Sequence, residues 1–172
     1  ELKHYQTKAR RLTPLLKYLA AERAVDMARQ CIQIHGGSGY MKDYVAEKLL
    51  RDAIAMPIYE GTSQIQALMA MKDTLIGVIK NPQRFVKQSA NARWRAYSAR
   101  NTWERRKARL EVLKFTAIQH LLTRLASEKF KELPGYGIND WRSVLNDWDP
   151  KRDFSVALLH AERLCMLLTD VE

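Results

Sequence analysis

Apolar residues recur at steps of three and four along most of the chain, the spacing of one face of an α-helix. The first clear stripe is Leu16, Ala20, Ala24, Met27, Cys31 and Ile34. Thr13 and Pro14 stand just before it, a good N-cap followed by a residue whose missing N–H costs nothing at the first helical position. A helix is therefore predicted to start there, and residues 1–12, with four Lys/Arg and few apolar side chains, read as the frayed tail of an earlier element. Gly36-Gly37 ends the helix, since glycine readily takes the left-handed cap conformation, and Gly36 to Tyr40 reads as a flexible, glycine-rich turn. A short helix is predicted over Ala46–Ala53. Met56 to Tyr59 reads as extended, because Pro57 disfavours helix at Met56. Glu60-Gly61-Thr62-Ser63 then introduces a helix in which Ser63 and Gln66 fit a capping box, with Thr62 as an alternative cap. Its stripe is Ile65, Leu68, Met69, Leu75, Ile76 and Ile79, and Asn81-Pro82 breaks it.

That break is the predicted domain boundary, between residues 1–81 and 82–172. Beyond it one long helix, or two with a kink, is predicted from about Gln83 to Leu133. Its stripe is Leu110, Leu113, Ala117, Leu121 and Leu125, widened by Val112 and Ile118. Pro134-Gly135-Tyr136-Gly137 makes a turn. Asp140 caps a short helix to Trp148, which Asp149-Pro150 stops, and Asp153 caps a last helix with Phe154, Ala157, Leu158, Ala161, Leu164, Cys165 and Leu168 inward. No strand pattern competes, so the fold class is all-α, with antiparallel helices packed as a bundle.

Composition narrows the function. Apolar residues make up 47% of the 172, too many for a disordered chain. No run of 18 apolar residues exists, and Glu1-Leu2-Lys3-His4 is neither a signal peptide nor a start with Met, so the chain reads as caught mid-protein. Cys31 and Cys165 each sit in a helical pattern, which disfavours a disulfide framework and fits a reducing compartment. The net charge of +10 invites a nucleic-acid partner, but it divides unevenly, +3 over residues 1–79 and +7 over 80–172. The densest run, Arg100, Arg105, Arg106, Lys107 and Arg109, reads first as a solvated helix face, with no nucleic-acid-binding motif beside it. Contact with an anionic membrane surface is a weaker reading of the same run.

Metal chemistry finds no support, since His4, His35, His120 and His160 lack paired ligands at helical spacing. Neither a nucleophile elbow nor a Walker loop is present, and Gly36–Gly39 follows no strand, as a dinucleotide fingerprint would. Glu60 is the residue of interest. It lies between Ile58-Tyr59 and Gly61, just before a helix start, where apolar and aromatic neighbours would raise its pKa toward that of a general base. Position alone favours the plainer reading, a first-turn glutamate that complements the helix dipole.

Three segments taken together tip that balance. Gln33-Ile34-His35-Gly36-Gly37-Ser38-Gly39-Tyr40 is followed by Arg51-Asp52-Ala53 and then by Ile58-Tyr59-Glu60-Gly61-Thr62-Ser63-Gln64-Ile65-Gln66. Roughly from Thr13 to Met71, in order and spacing, this resembles the C-terminal helical domain of the acyl-CoA dehydrogenase family. The resemblance implies FAD-dependent oxidation of an acyl-CoA thioester to the trans-2-enoyl-CoA, as in fatty acid β-oxidation. Glu60 would be the catalytic base, removing the α-proton while the β-hydrogen leaves as hydride to the flavin. The family holds the thioester carbonyl with this glutamate's N–H and a flavin ribityl hydroxyl. Tyr59 and Gly61 would line the substrate site. Gln33, Ile34, His35, Gly36 and Gly37 match the stretch that contacts the FAD of a neighbouring subunit, and Thr62 and Gln64 match contacts to the FAD diphosphate and adenosine. Arg51 and Asp52 would form a structural ion pair. A homo-oligomer (dimer or tetramer), electron-transfer flavoprotein as acceptor, and a bacterial cytoplasm, or alternatively a mitochondrial matrix, are also implied.

The family's N-terminal helical domain, middle β-domain and first C-terminal helices have no counterpart here, so the isolated chain is expected to bind FAD weakly or not at all and to lack turnover. Residues 82–172 exceed the common short form and resemble the extra helical domain of large-form members. There Trp94, Trp103, Trp141 and Trp148, with the leucine stripes, point to a packed domain. An acyl-CoA oxidase, or a non-catalytic helical module, are the competing readings.

Overall fold

The computed structural model describes residues 2–132 and 155–171. All regular structure in them is helical: α1 (Leu2–His35), a 3-10 helix (Gly36–Tyr40), α2 (Val45–Ala53), α3 (Ser63–Lys80), α4 (Pro82–Ser98), α5 (Thr102–Glu132), α6 (Ser155–Leu158) and α7 (Ala161–Val171). The chain divides into two compact units, Glu1–Ala70 and Met71–Glu172, the division falling within α3. The all-α expectation holds for the described residues.

In the first unit, α1 starts eleven residues before the predicted cap and carries Pro14 in its interior. Thr13 is thus no N-cap; its hydroxyl donates to the Ala9 carbonyl at 2.8 Å, one turn back. A proline inside a helix removes one backbone bond, and here Pro14 and Leu15 are buried, so packing holds the helix through the break. The buried face of α1 is Leu15, Tyr18, Ala21 and Ala28. The predicted stripe lies mostly outside it, with Leu16 and Met27 each 68% and Ile34 85% exposed. The reason is the partner: α1 packs on α2 and the 3-10 helix, and α2 presents Ala46 and Ala53. Alanine against alanine lets two helices approach closely, so small residues mark the seam and larger ones are left at the surface.

Gly36 takes φ +58, the left-handed cap expected after α1. The following turn is a regular 3-10 helix rather than a flexible loop. It lies so close to α1 that a Cβ on Gly39 would stand 2.8 Å from both the Ile32 carbonyl oxygen and the His35 Cβ. Arg51 pairs with Glu47 at 3.6 Å on its own helix, not with Asp52. In α3 the buried positions are Ser63, Ala67, Ala70, Met71 and Leu75. Of the predicted stripe, Leu75 is inside while Ile65 and Met69 are exposed.

In the second unit, Asn81 breaks the helix as expected and Pro82 opens α4 at its first position. The stretch expected as one long helix, or two with a kink, is two helices, α4 and α5, packed along one another and joined by Ala99–Asn101. Arg105 donates through Nε and Nη2 to the Ala99 carbonyl at 3.1 and 2.8 Å, closing the end of α4. Asn101 Oδ1 accepts the Trp103 N–H at 2.9 Å, opening α5. Arg95 of α4 pairs with Glu111 of α5, and Phe85 meets Phe115 edge-on at 5.4 Å. The core of α5 is Ala108, Phe115, Ile118, Leu121 and Leu125, while Leu110 and Leu113 face out. Trp94 and Trp103, expected inside, are exposed. Arg100, Arg106, Lys107 and Arg109 are exposed, a solvated face. The Pro134 turn, the Asp140–Trp148 helix, Trp141, Asp149-Pro150, Asp153 and Phe154 lie outside the described residues. The last helix is interrupted between Leu158 and Ala161 and buries Ala157, Ala161, Leu164, Cys165 and Leu168 as expected, whereas Leu158 is exposed.

Burial, and secondarily the charge of Glu162, push the Cys165 thiol up from 9.0 to about 11. The unfolded chain ionises first, so the stability that this proton contributes is complete below pH 9 and is lost as pH rises toward 11. Urea unfolding at pH 8 and pH 10.5 is expected to show a larger loss of stability for the natural chain than for Cys165→Ala. Equal losses would contradict the burial of this thiol.

Candidate functional site

Between α2 and α3 the chain does not extend; Ala53 to Tyr59 winds through successive tight turns. The N–H groups of Met56 and Ile58 donate to the carbonyls of Ala53 and Ala55 at 2.9 and 3.0 Å. Pro57 thus leaves Met56 outside a helix, as expected, but in a turn rather than a strand. The Pro57 carbonyl in turn accepts the Ser63 N–H at 3.0 Å, closing a loop around Ile58–Thr62.

At the tip of that loop Glu60 has φ +52 and Gly61 φ +91. Left-handed backbone suits glycine, but at an L-residue it costs about 1–2 kcal/mol. Glu60 is the one described non-glycine residue at positive φ, which marks it for a functional role. The side chain of Gln66 holds the conformation, its Nε2 donating to the Glu60 carbonyl at 3.2 Å. A Cβ on Gly61 would stand 2.7 Å from that same Nε2. Thr62 Oγ1 accepts the Ile65 N–H at 3.3 Å, so Thr62, the alternative cap, is the N-cap of α3 and Gln66 is released to reach Glu60. Ser63 does not cap; its hydroxyl is buried with no hydrogen-bond partner among the described residues.

The loop is tied to α1 by a residue that sequence reasoning missed. Lys17 Nζ donates to the Met56 carbonyl and lies 4.5 Å from the centre of the Tyr59 ring, a cation–π contact worth about 0.5–1 kcal/mol at an exposed site. Tyr59 also donates its hydroxyl to Met56 Sδ at 3.2 Å. No local pattern announces Lys17, which stands 39 residues before its partner carbonyl.

Glu60 was expected among apolar neighbours, but its side chain is exposed, as is that of Tyr59, with Gly61 half-buried. The left-handed turn carries the residue to the loop tip and away from the packed alanines. Among the described residues no backbone carbonyl accepts the N–H of Glu60 or Gly61, so both donors remain for a ligand oxygen. In the first turn of α3 the N–H groups of Ser63 and Ile65 already have acceptors.

The structure places the predicted site residues in two groups. Tyr59, Glu60, Gly61, Thr62 and Gln64 gather at the loop tip and the start of α3. Gln33, Ile34, His35, Gly36 and Gly37 lie at the far end of α1, all exposed. His35 Nδ1 is engaged with the Cys31 carbonyl at 2.8 Å, and its ring meets Tyr44 edge-on at 6.2 Å. Around Gly36 and Gly37 nothing lies within 4 Å of an added Cβ. Lys17, which anchors the first group, and His35, which begins the second, are separated by about 27 Å of helix at 1.5 Å per residue.

Among the described residues no group of three or more His, Cys, Asp or Glu is placed to hold a metal ion, and no helix is long and apolar enough to cross a membrane. A strained non-glycine residue at the loop tip is the testable part of the geometry. Glu60→Gly is expected to raise stability toward urea by about 0.5–1 kcal/mol, relief of left-handed strain less the added freedom of the unfolded chain. A loss of stability as large as that of Glu60→Val would contradict it.

Residues 1–75 match the model of the acyl-CoA dehydrogenase C-terminal domain. A probable acyl-CoA dehydrogenase of Bacillus subtilis is 54% identical over 59 residues, which are 34% of this chain and 16% of that protein. A 3-(aryl)acrylate reductase of Clostridium sporogenes is 44% identical over 68 residues, 40% of this chain and 18% of that protein. A subunit of the caffeyl-CoA reductase-Etf complex of Acetobacterium woodii is 42% identical over 55 residues, 32% of this chain and 14% of that protein. The chain thus spans less than a fifth of each of these relatives. No solved structure matches.

Proposed function

Residues 1–75 belong to the acyl-CoA dehydrogenase C-terminal domain family, and from that premise we propose that Glu60 is the catalytic base in the α,β-dehydrogenation of an acyl-CoA thioester. The observation that carries the reading is the left-handed Glu60-Gly61 turn. It presents an exposed carboxylate beside two backbone N–H groups that no described carbonyl accepts. The α-proton of a thioester is weakly acidic, so its removal needs a base on one side and hydrogen-bond donors at the carbonyl oxygen, where charge develops, on the other. Glu60 takes the proton at a carboxylate oxygen, and its own N–H is the donor set toward the thioester oxygen. Tyr59 and Gly61 flank the reacting carbon, Gly61 allowing close approach of the chain to the substrate.

FAD, when bound, accepts the β-hydrogen as hydride. The residues that would hold it fit that group. Thr62 keeps its hydroxyl hydrogen while its oxygen caps α3, and the exposed Gln64 amide adds donors suited to a diphosphate. Gln33, Ile34, His35, Gly36 and Gly37, at the other end of α1, are exposed with open space at both glycines. Their distance from Glu60 supports contact with the FAD of a second subunit, and hence a homo-oligomer. Exposed Leu16, Met27, Ile34 and Tyr40 offer apolar surface for such an assembly. An electron-transfer flavoprotein is the proposed acceptor, supported by the Etf complex to which one relative belongs. The relatives' bacterial origin supports a cytoplasmic enzyme, and the site lies in the part preceding residue 82, with 82–172 as a separate helical extension.

Glu60→Gln in the full-length protein removes the base with little change in shape. Turnover is expected to fall by about 10²–10⁴-fold with the flavin absorbance retained. Near-normal turnover would overturn the assignment.

A further inference from the structure

In the second unit, α5 and α7 line an open cleft of about 320 Å³. From α5 it is lined by Ala117, His120, Leu121 and Arg124, an i, i+3, i+4, i+7 set on one helix face. From the other side it is lined by His160, Arg163, Leu164 and Leu167, which repeat the same register. His160 joins that face because its carbonyl accepts the Leu164 N–H at 2.9 Å, starting the helical turn there.

The two sets divide by chemistry in the same way. Leu121 and Leu164 are buried and, with Ala117 and Leu167, make an apolar floor. Arg124 and Arg163 are exposed at the rim, with His120 and His160 beside them. Among the described residues no Asp or Glu lines the cleft, and neither arginine has a carboxylate partner. A guanidinium presents a planar fork of donors that matches a carboxylate or phosphate in two parallel bonds. Two such forks repel cations, so the two histidines do not make a metal site. The volume stands at the small end of the about 300–1,000 Å³ typical of ligand pockets.

We propose that this cleft binds a small anionic amphiphile, its carboxylate or phosphate head between Arg124 and Arg163 and its hydrocarbon body on Leu121 and Leu164. The site is independent of Glu60, so its failure leaves the catalytic reading standing.

Titration calorimetry on the 172-residue chain at low salt tests it, with octanoate, octyl phosphate, 1-octanol and inorganic phosphate as probes. The octyl anions are expected to bind at least tenfold more tightly than octanol and than inorganic phosphate, and their ratio identifies the preferred head. Arg124→Gln and Arg163→Gln, both at exposed positions, are each expected to weaken octyl-anion binding about tenfold, the range of a hydrogen bond to a charged group. Ala117→Phe fills the floor and is expected to weaken it with both charges intact. Octanol binding as tightly as octanoate, inorganic phosphate as tightly as octyl phosphate, unchanged binding in the double arginine variant, or no binding of either octyl anion would each overturn the proposal.

Discussion

The left-handed backbone at Glu60 and Gly61 is the constraint on which the candidate site depends. Two successive positive φ angles reverse the chain between the turns that follow α2 and the first turn of α3. That reversal frees Gln66 to reach back to the Glu60 carbonyl, lets Thr62 cap the helix, and carries the Glu60 carboxylate outward. Glycine could hold the first of the two positions at lower cost. A glutamate there makes sense if its side chain does something the fold does not need, and that is the physical argument for chemistry at this residue.

Around that turn the packing is built from small side chains. Ala21 and Ala28 of α1 and Ala46 and Ala53 of α2 are buried where these helices pack, with Gly39 against the end of α1. Lys17 of α1 then fastens the loop to that helix from the side. The same alanine seams recur in the second unit, where Ala92, Ala108, Ala157 and Ala161 are buried while Trp94 and Trp103 are not.

Those seams explain what the sequence revealed and what it hid. Helical periodicity, the glycine cap after α1 and the break at Asn81-Pro82 are local signals, and they were legible. The facing of each helix was not, because large apolar residues do not mark the core here. Leu16, Met27 and Ile34 face out because the described partners of α1 approach through alanine. Pro14 misled in the same way, as a start signal overridden by packing. At the site, the motif order pointed to Glu60, Thr62 and Gln64, but the exposure of Glu60 and the grip of Lys17 depend on contacts far along the chain. The cleft between α5 and α7 was equally hidden, since His120 and His160 converge only once the helices pack.

The catalytic role proposed for Glu60 is to move the substrate's α-proton. The most direct measurement is the incorporation of deuterium at C2 of an acyl-CoA substrate in D₂O by the full-length protein, without an electron acceptor, compared with Glu60→Gln. Exchange is expected in the natural protein, and its loss in the variant. Equal exchange in both would contradict that role.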